Sequence, residues 1–334
     1  MLRRLQEIRF DRAWLVLAGV CLAESLAAEG GRWSVALDLL ADLAPLWLVG
    51  SVAAVVAALL LKAPTRVAIL ITGLAGIAAA GALMTPELLR PPPRPLAAGS
   101  AFRLRVIQIN IGGRGVKDPD RIAAWLAAQH PDVIMVDDVV PPIRAAIERQ
   151  GFHWRRGTAW TGIASREPLL PSPFAFSAKD WKEMPDLARA RLATPDGAAD
   201  IIATHLIRPF RGTGERDPRV AVARLANLAD RYEGDRLIIG GDFNLAPWSF
   251  RLRKLDARLG LDRRDRADFT WPARLFGGDW PIPVLPLDHL YAGPAWKTAD
   301  VWVSPPIGAS HRALVVDLVE APDPPARQLP TTPH

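Results

Sequence analysis

A set of polar residues falls where short apolar runs begin or end, and their types suit chemistry on a phosphate. Asn110 closes Arg103–Asn110 (RLRVIQIN), and Asp137 and Asp138 follow Val133–Val136. His205 ends Ala199–His205, and Asp242 and Asn244, within GGDFN, follow Arg236–Gly240. Asp288 precedes His289–Tyr291, and His311 stands just before Ala313–Leu318. Carboxylates, amides and imidazoles of this kind suit a hard cation such as Mg²⁺ or Mn²⁺, together with a phosphoryl group that water must attack. Brought together at one edge of a fold, they would make a single pocket.

The elements that must position them read from the pattern. Arg103–Asn110 alternates apolar and polar residues, as a half-buried strand does. Asp118 offers an N-cap with Pro119 at the first helical position, and Ile122, Trp125, Leu126 and Gln129 follow at helical spacing. Val133–Val136, Ala199–His205 and Arg236–Gly240 read as further strands. Asp217–Pro218 opens a helix whose Val222, Leu225, Ala229 and Tyr232 share a face, and Gly234 ends it. Many strands with few interspersed helices predict two packed sheets with helices outside, in an α/β domain over residues 102–320. In the same reading Asp137 is a solvated neighbour of Asp138. Met135 and the tryptophans at 125, 154, 160 and 181 are packing residues.

Three apolar runs precede that domain. Ala13–Ala28 is the weakest, being short and interrupted by Glu24, whereas Leu43–Leu61 and Val67–Leu83 carry no charge. The latter two cover about 25–28 Å as helices, enough for the hydrocarbon core of a bilayer. Residues 1–85 are therefore expected to be a membrane anchor of two or three helices, with Glu29–Asp42 as the loop between the first two. Residues 86–101 (Pro91–Pro93, Pro95) form a stiff linker, and 321–334 a disordered tail. The basic N-terminus and the Lys62–Arg66 turn argue for a multi-pass protein of the inner membrane whose later domain lies on the periplasmic side; Arg90 and Arg94 argue mildly the other way. Apart from Glu24, the runs lack the inward polar residues of a transporter.

Composition narrows the partners. The net charge of +6 is dispersed, with 32 basic against 28 acidic residues after residue 95, so there is no strong phosphate-binding footprint and nucleic acid is not favoured as a partner. The single cysteine, Cys21, excludes an intrachain disulfide and reads as a small apolar residue.

The order INI, PDVIMVDDV, THL, GGDFN, TWP…LDH and SHR resembles the endonuclease/exonuclease/phosphatase superfamily over residues 103–318, in a membrane-anchored bacterial arrangement. The resemblance implies a four-layer α/β sandwich and a metal-dependent hydrolase of phosphomonoesters or phosphodiesters: lipid head group, nucleotide or nucleic acid. It implies that Asn110 orients the metal or phosphate, that Asp138 ligates the metal, and that His205 bonds the phosphate or assists the leaving group. Asp242 and Asn244 would position the water and a phosphoryl oxygen, with Asn110, Asn244 and His205 contacting substrate. Asp288 would hold the imidazole of His311, the base or transition-state stabiliser. Two positions depart from the family: Asp138 stands where Glu is usual, and Ser310 where an Asp usually precedes the final His. The departures leave open an alternative, a degenerate sandwich that binds a phosphorylated ligand as a membrane-tethered scaffold.

Overall fold

A computed structural model of the chain describes residues 2–60, 64–91, 102–173, 186–208, 218–232 and 234–321. Most of the expected linker, Lys62, Asp217, Trp181 and almost all of the expected tail lie outside the described residues. The chain divides into two compact units: residues 1–91 with 246–253, and residues 92–245 with 254–334.

The second unit is an α/β sandwich. Its first sheet has six strands in the order β12-β13-β1-β2-β4-β3. These are β1 (Arg103–Asn110), β2 (Val133–Asp137), β3 (His153–Arg156), β4 (Gly162–Ser165), β12 (Trp296–Val303) and β13 (Leu314–Glu320). The second sheet has five strands in the order β5-β6-β7-β11-β8: β5 (Leu187–Thr194), β6 (Gly197–His205), β7 (Leu237–Asp242), β8 (Asp262–Arg263) and β11 (Asp288–Ala292). Both sheets are mixed, because β1–β2 and β6–β7 are parallel while the other pairs within them are antiparallel. A small hairpin, β9 (Arg274–Leu275) and β10 (Gly278–Asp279), stands apart from them.

Alternation along each strand sorts its residues between two cores. Leu104, Val106, Val133 and Met135 pack against Ala199, Ile201, Ala203, Ile238, Leu290 and Ala292, so this core lies between the sheets. Ile107, Ile109, Ile134 and Val136 point the other way, onto helices α5 (Pro119–Ala128) and α6 (Pro141–Arg149), through Ile122, Leu126, Ile143 and Ile147. Asp118 caps α5 as expected, its side chain accepting from the Arg121 N–H. The sheets approach so closely at Gly240 that a Cβ there would lie 2.5 Å from Met135 Sδ. Helix α7 (Pro218–Ala229) buries Val222, Leu225 and Ala229 on one face, and Tyr232 just beyond its end is buried too.

The first unit contains α1 (Leu2–Ala28), α2 (Val35–Asp42), α3 (Ala44–Leu60) and α4 (Arg66–Leu88). Among the described residues two stretches, Asp11–Arg32 and Arg66–Leu88, are long and apolar enough to cross a bilayer by length and composition. The first run, which reads as the weakest, thus forms one of these two helices. The charge-free run Leu43–Leu61 gives a helix of only 17 residues, joined to α2 at a bend of 56°. The stretch Glu29–Asp42, expected as a loop, is a 3-10 turn followed by α2. Small residues let α1, α3 and α4 approach one another: a Cβ at Gly50 would meet Cys21 Sγ, and one at Gly76 would meet Ser51 Oγ. Cys21 is buried there as a small apolar residue.

Candidate active site

The same alternation that builds the inter-sheet core delivers the polar residues to one end of it. Asn110 shares parity with Leu104 and Val106, and Asp137 with Val133 and Met135. His205 continues Ile201 and Ala203, Asp242 continues Ile238 and Gly240, and Asp288 precedes Leu290 and Ala292. Strand register then makes them neighbours: Asn110 lies opposite Asp137, His205 opposite Asp242, and Asp242 opposite Asp288. Five strands from two sheets therefore contribute one polar terminal residue each to a common point.

Asp242 is the hub. Its Oδ2 accepts from Asn110 Nδ2 at 2.8 Å, and its Oδ1 accepts from the Asn244 N–H at 2.9 Å. His205 Nε2 is 3.5 Å and His311 Nε2 3.7 Å from Asp242 Oδ2. His205 Nδ1 lies 3.6 Å from Asp138 Oδ1. His311 Nδ1 donates to Asp288 Oδ2 at 2.7 Å, which aims Nε2 at the cluster, and the His311 backbone N–H is fixed by Asn110 O at 3.1 Å. The pair has the geometry of an acid that orients an imidazole. Asn110 Oδ1 accepts from Gly112 N, so its amide is held from two sides, whereas the Asn244 amide is held through Nδ2 alone, which donates to Leu206 O.

Two of these residues sit in a backbone region that L residues rarely adopt: Asp138 has φ 51° and Asn244 φ 52°. Asp and Asn tolerate it best, and such outliers cluster where a side chain must be aimed. Asp138 is the most open member, with 28% of its side chain exposed, against 13% for His205 and 1% for Asp242.

Asp137 differs from its sequence reading. It is fully buried, its Oδ2 accepting from Asp242 N at 2.9 Å and from Gln108 Nε2 at 3.2 Å, its Oδ1 from Thr161 Oγ1 at 3.3 Å. Burial pushes its pKa up to about 8; His205 and the Asp242 N–H oppose the rise, while Asp242 and Asp288 add to it. The signal was its parity with Val133 and Met135, which faces it inward. Burial opposes a charge on His311, but Asp288, Asp242 and Asp137 overcome it and raise its pKa to about 9. His205 is raised in the same way, by Asp242, Asp137, Asp138 and Asp186 against its burial.

A supporting pair lies behind the site and escaped the sequence reading. His289 Nδ1 bonds Asp265 Oδ2 at 2.6 Å, and its Nε2 bonds the carbonyl of Leu245, next to Asn244, at 2.8 Å. Burial opposes charge on both, yet their mutual attraction lowers Asp265 and raises His289. No short motif marks this pair, because Asp265 is 24 residues from its partner. Ser310 is held by its backbone, N to Ile111 O at 3.0 Å and O to Ala273 N at 2.9 Å, and its Cβ packs over Gly112.

Asp137, Asp138, Asp242 and Asp288 bond to no Lys or Arg among the described residues. Asp288 Oδ1 is buried with no hydrogen-bond partner among them. Four acids offset among the described residues by histidines alone, with an orphaned carboxylate oxygen, fit a divalent cation. Asp242, Asp288 and His311 each offer one ligand atom, all within 4.8 Å of one another. That group differs from the pair Asn110 and Asp138 that the sequence resemblance suggests.

An α/β sandwich of two mixed sheets whose converging strand ends carry acids, amides and two histidines defines a class of phosphoester-hydrolase architecture. Residues 107–319 match the Endonuclease/Exonuclease/phosphatase family, and the chain belongs to it. Its members hydrolyse phosphoesters. Among solved structures, an endonuclease/exonuclease/phosphatase from Beutenbergia cavernae is 21% identical, covering 66% of this chain and 72% of that one at a TM-score of 0.49. A Bacteroides vulgatus endonuclease/exonuclease/phosphatase is 14% identical over 66% of this chain and 100% of its own, at 0.50. Sphingomyelinase C from Streptomyces griseocarneus is 15% identical over the same share of this chain and 100% of its own, at 0.46. No curated protein matches the sequence significantly.

Proposed function

We propose that the chain is a Mg²⁺- or Mn²⁺-dependent hydrolase of phosphomonoesters or phosphodiesters, working at a membrane in which its N-terminal helices are embedded. The supporting observation is the convergence of Asp138, Asp242, Asp288, His205 and His311 within a few ångströms, with Asp288 Oδ1 buried and without a hydrogen-bond partner among the described residues. Asp138 and Asn110, with Asp242 and Asp288 Oδ1 close by, would hold the cation. When bound, the ion neutralises charge that develops on the phosphoryl oxygens. Asp288 keeps His311 Nδ1–H occupied, so Nε2 is the atom that faces the reaction. As an imidazolium it stabilises the transition state, and it would take a proton from water only where a bound cation, offsetting the neighbouring carboxylates, lowers its raised pKa. Asp242 orients the attacking water. Asn244, with one amide hydrogen and Oδ1 left over after its bond to Leu206, contacts a phosphoryl oxygen. His205, raised in pKa, bonds the phosphate or assists the leaving group.

The apolar helices favour lipid head groups as substrates, and the dispersed charge gives no support to nucleic acid. The test is a hydrolysis screen of the full-length chain in detergent, over lipid, nucleotide and oligonucleotide phosphoesters. Turnover with Mg²⁺ or Mn²⁺ that chelation abolishes is the expected result. Turnover indifferent to chelation overturns metal dependence, and phosphoester binding without turnover favours the scaffold reading.

Topology has its own expectation. With a cytoplasmic N-terminus and three crossings, reporters fused at Ala63 and Gly99 give opposite readouts, with Ala63 on the cytoplasmic side. A cytoplasmic Gly99 reporter places the catalytic unit inside the cell and removes the periplasmic assignment.

A further inference from the structure

Segment 246–253, which begins two residues after Asn244, groups with the N-terminal helices rather than with the sheets that surround it in sequence. The reason lies in two acids one turn apart on α2. Asp42 Oδ1 accepts from the Ala246 N–H at 2.8 Å, and its carbonyl accepts from Trp248 Nε1 at 3.0 Å. Asp38 Oδ1 accepts from Phe250 N at 2.8 Å. Its Oδ2 accepts from Ser249 Oγ at 2.8 Å, Arg251 Nε at 2.7 Å and Arg251 N at 3.2 Å.

The bonded amides of Phe250 and Arg251 open helix α8 (Phe250–Leu259), whose first N–H groups have no partner within the helix itself. A helix normally takes this cap from the residue just before it, and Ser249 does contribute, its Oγ accepting from Arg251 N at 3.2 Å. The charged share comes from Asp38, more than 200 residues earlier in the chain. Asp38 and Trp248 are completely buried, so water cannot replace these bonds. Gly31 makes room for the contact: a Cβ there would lie 2.7 Å from Asp38 Cα and 2.8 Å from the Phe250 ring. Arg32 and Arg253 cover Phe250, with guanidinium carbons 4.9 and 5.2 Å from its ring centre.

We propose that Asp38 and Asp42 are positioning residues for the reaction, fixing the chain immediately after Asn244 and so the loop that carries Asp242 and Asn244. The inference rests on the proposed function in one respect only, that this loop is catalytic. Asn244 holds a strained φ of 52°, and only Leu245 lies between it and the clamped Ala246. Releasing the clamp lets that conformation relax, and a shift of about 1 Å in a catalytic group costs on the order of a hundredfold in rate.

The experiment uses the full-length chain in detergent, with Asp38→Asn and Trp248→Phe, which keeps an aromatic ring but removes the N–H bonded to Asp42 O, compared with wild type. Glu29→Gln, in an exposed ion pair of the same unit, is the control. Backbone hydrogen exchange is read at residues 242–251 alongside kcat and KM. The clamp predicts faster exchange at Ala246, Phe250 and Arg251 that spreads to Phe243 and Asn244, and kcat lowered about tenfold or more with KM within about twofold. Exchange confined to residues 246–251, with kcat unchanged, reduces the acids to a local cap and overturns the proposal. Should Asp38→Asn fail to fold, Trp248→Phe decides by the same criteria. If wild type hydrolyses nothing, the catalytic reading fails, and spread of exchange to Asn244 still decides whether the clamp reaches the loop.

Discussion

Alanine at Asp242 or at His311 lowers metal-supported turnover of the full-length protein by at least about a hundredfold, a barrier increase of about 2.7 kcal/mol. Asp242→Ala acts at several points together. It removes the acceptor that orients Asn110 Nδ2 and the one that holds the Asn244 N–H, and it takes the facing carboxylate from both His205 and His311. His311→Ala removes the imidazole that Asp288 orients and strands a second oxygen of a buried acid whose Oδ1 already lacks a partner. Because these groups act as one unit, the double variant falls little further than either single one. Steady-state rates with saturating Mg²⁺ measure this, with thermal melting to show that the variants remain folded. Turnover within about tenfold of wild type in both variants places the chemistry elsewhere.

What was legible in the sequence follows one physical rule. Where an apolar run faces a core with strict alternation, its terminal polar residue is placed on a known face, and Asn110, His205, Asp242 and Asp288 all lie in this class. Asp137 lies in it too. The adjacent Asp138 makes Asp137 look like a solvated neighbour in sequence, although parity with Val133 and Met135 sends Asp137 inward. Strand β5 carries no legible strand signal, since LARARLAT sets alanines of weak strand preference against arginines. The segments β3 and β4 have only four residues each, too few for a period to show. The capping of α8 by Asp38 is not local at all, and no window of sequence contains both ends of that contact. The bend between α2 and α3 hides in the same way, because Leu43 within it is as apolar as the helices on either side.

Acid and imidazole in one buried cluster also set a pH dependence for the metal-free protein. The folded pKa of Asp137 is about 8, well above the ordinary aspartate value, so the folded state keeps a proton that the unfolded chain releases. Between roughly pH 4 and 8 the unfolded state therefore binds fewer protons, and stability falls as pH rises, by up to about 1.4 kcal/mol per unit for this one group. His311 acts in the same direction. Its folded pKa of about 9 gives stability that is complete below about 6.5 and lost as pH rises through 9. In chelator, the melting temperature should fall steadily from pH 5.5 to 9, by about 2–4 °C for each kcal/mol in a domain of this size. Asp137→Asn removes the larger part of the slope below pH 8, because its amide carbonyl can still accept from Asp242 N without an ionisable proton. The variant should melt above wild type at pH 7–8 and converge with it toward pH 5. Added Mg²⁺ favours the ionised carboxylates and should flatten the wild-type curve. Parallel curves for wild type and Asp137→Asn across this range would show that Asp137 is ionised in the folded protein at neutral pH.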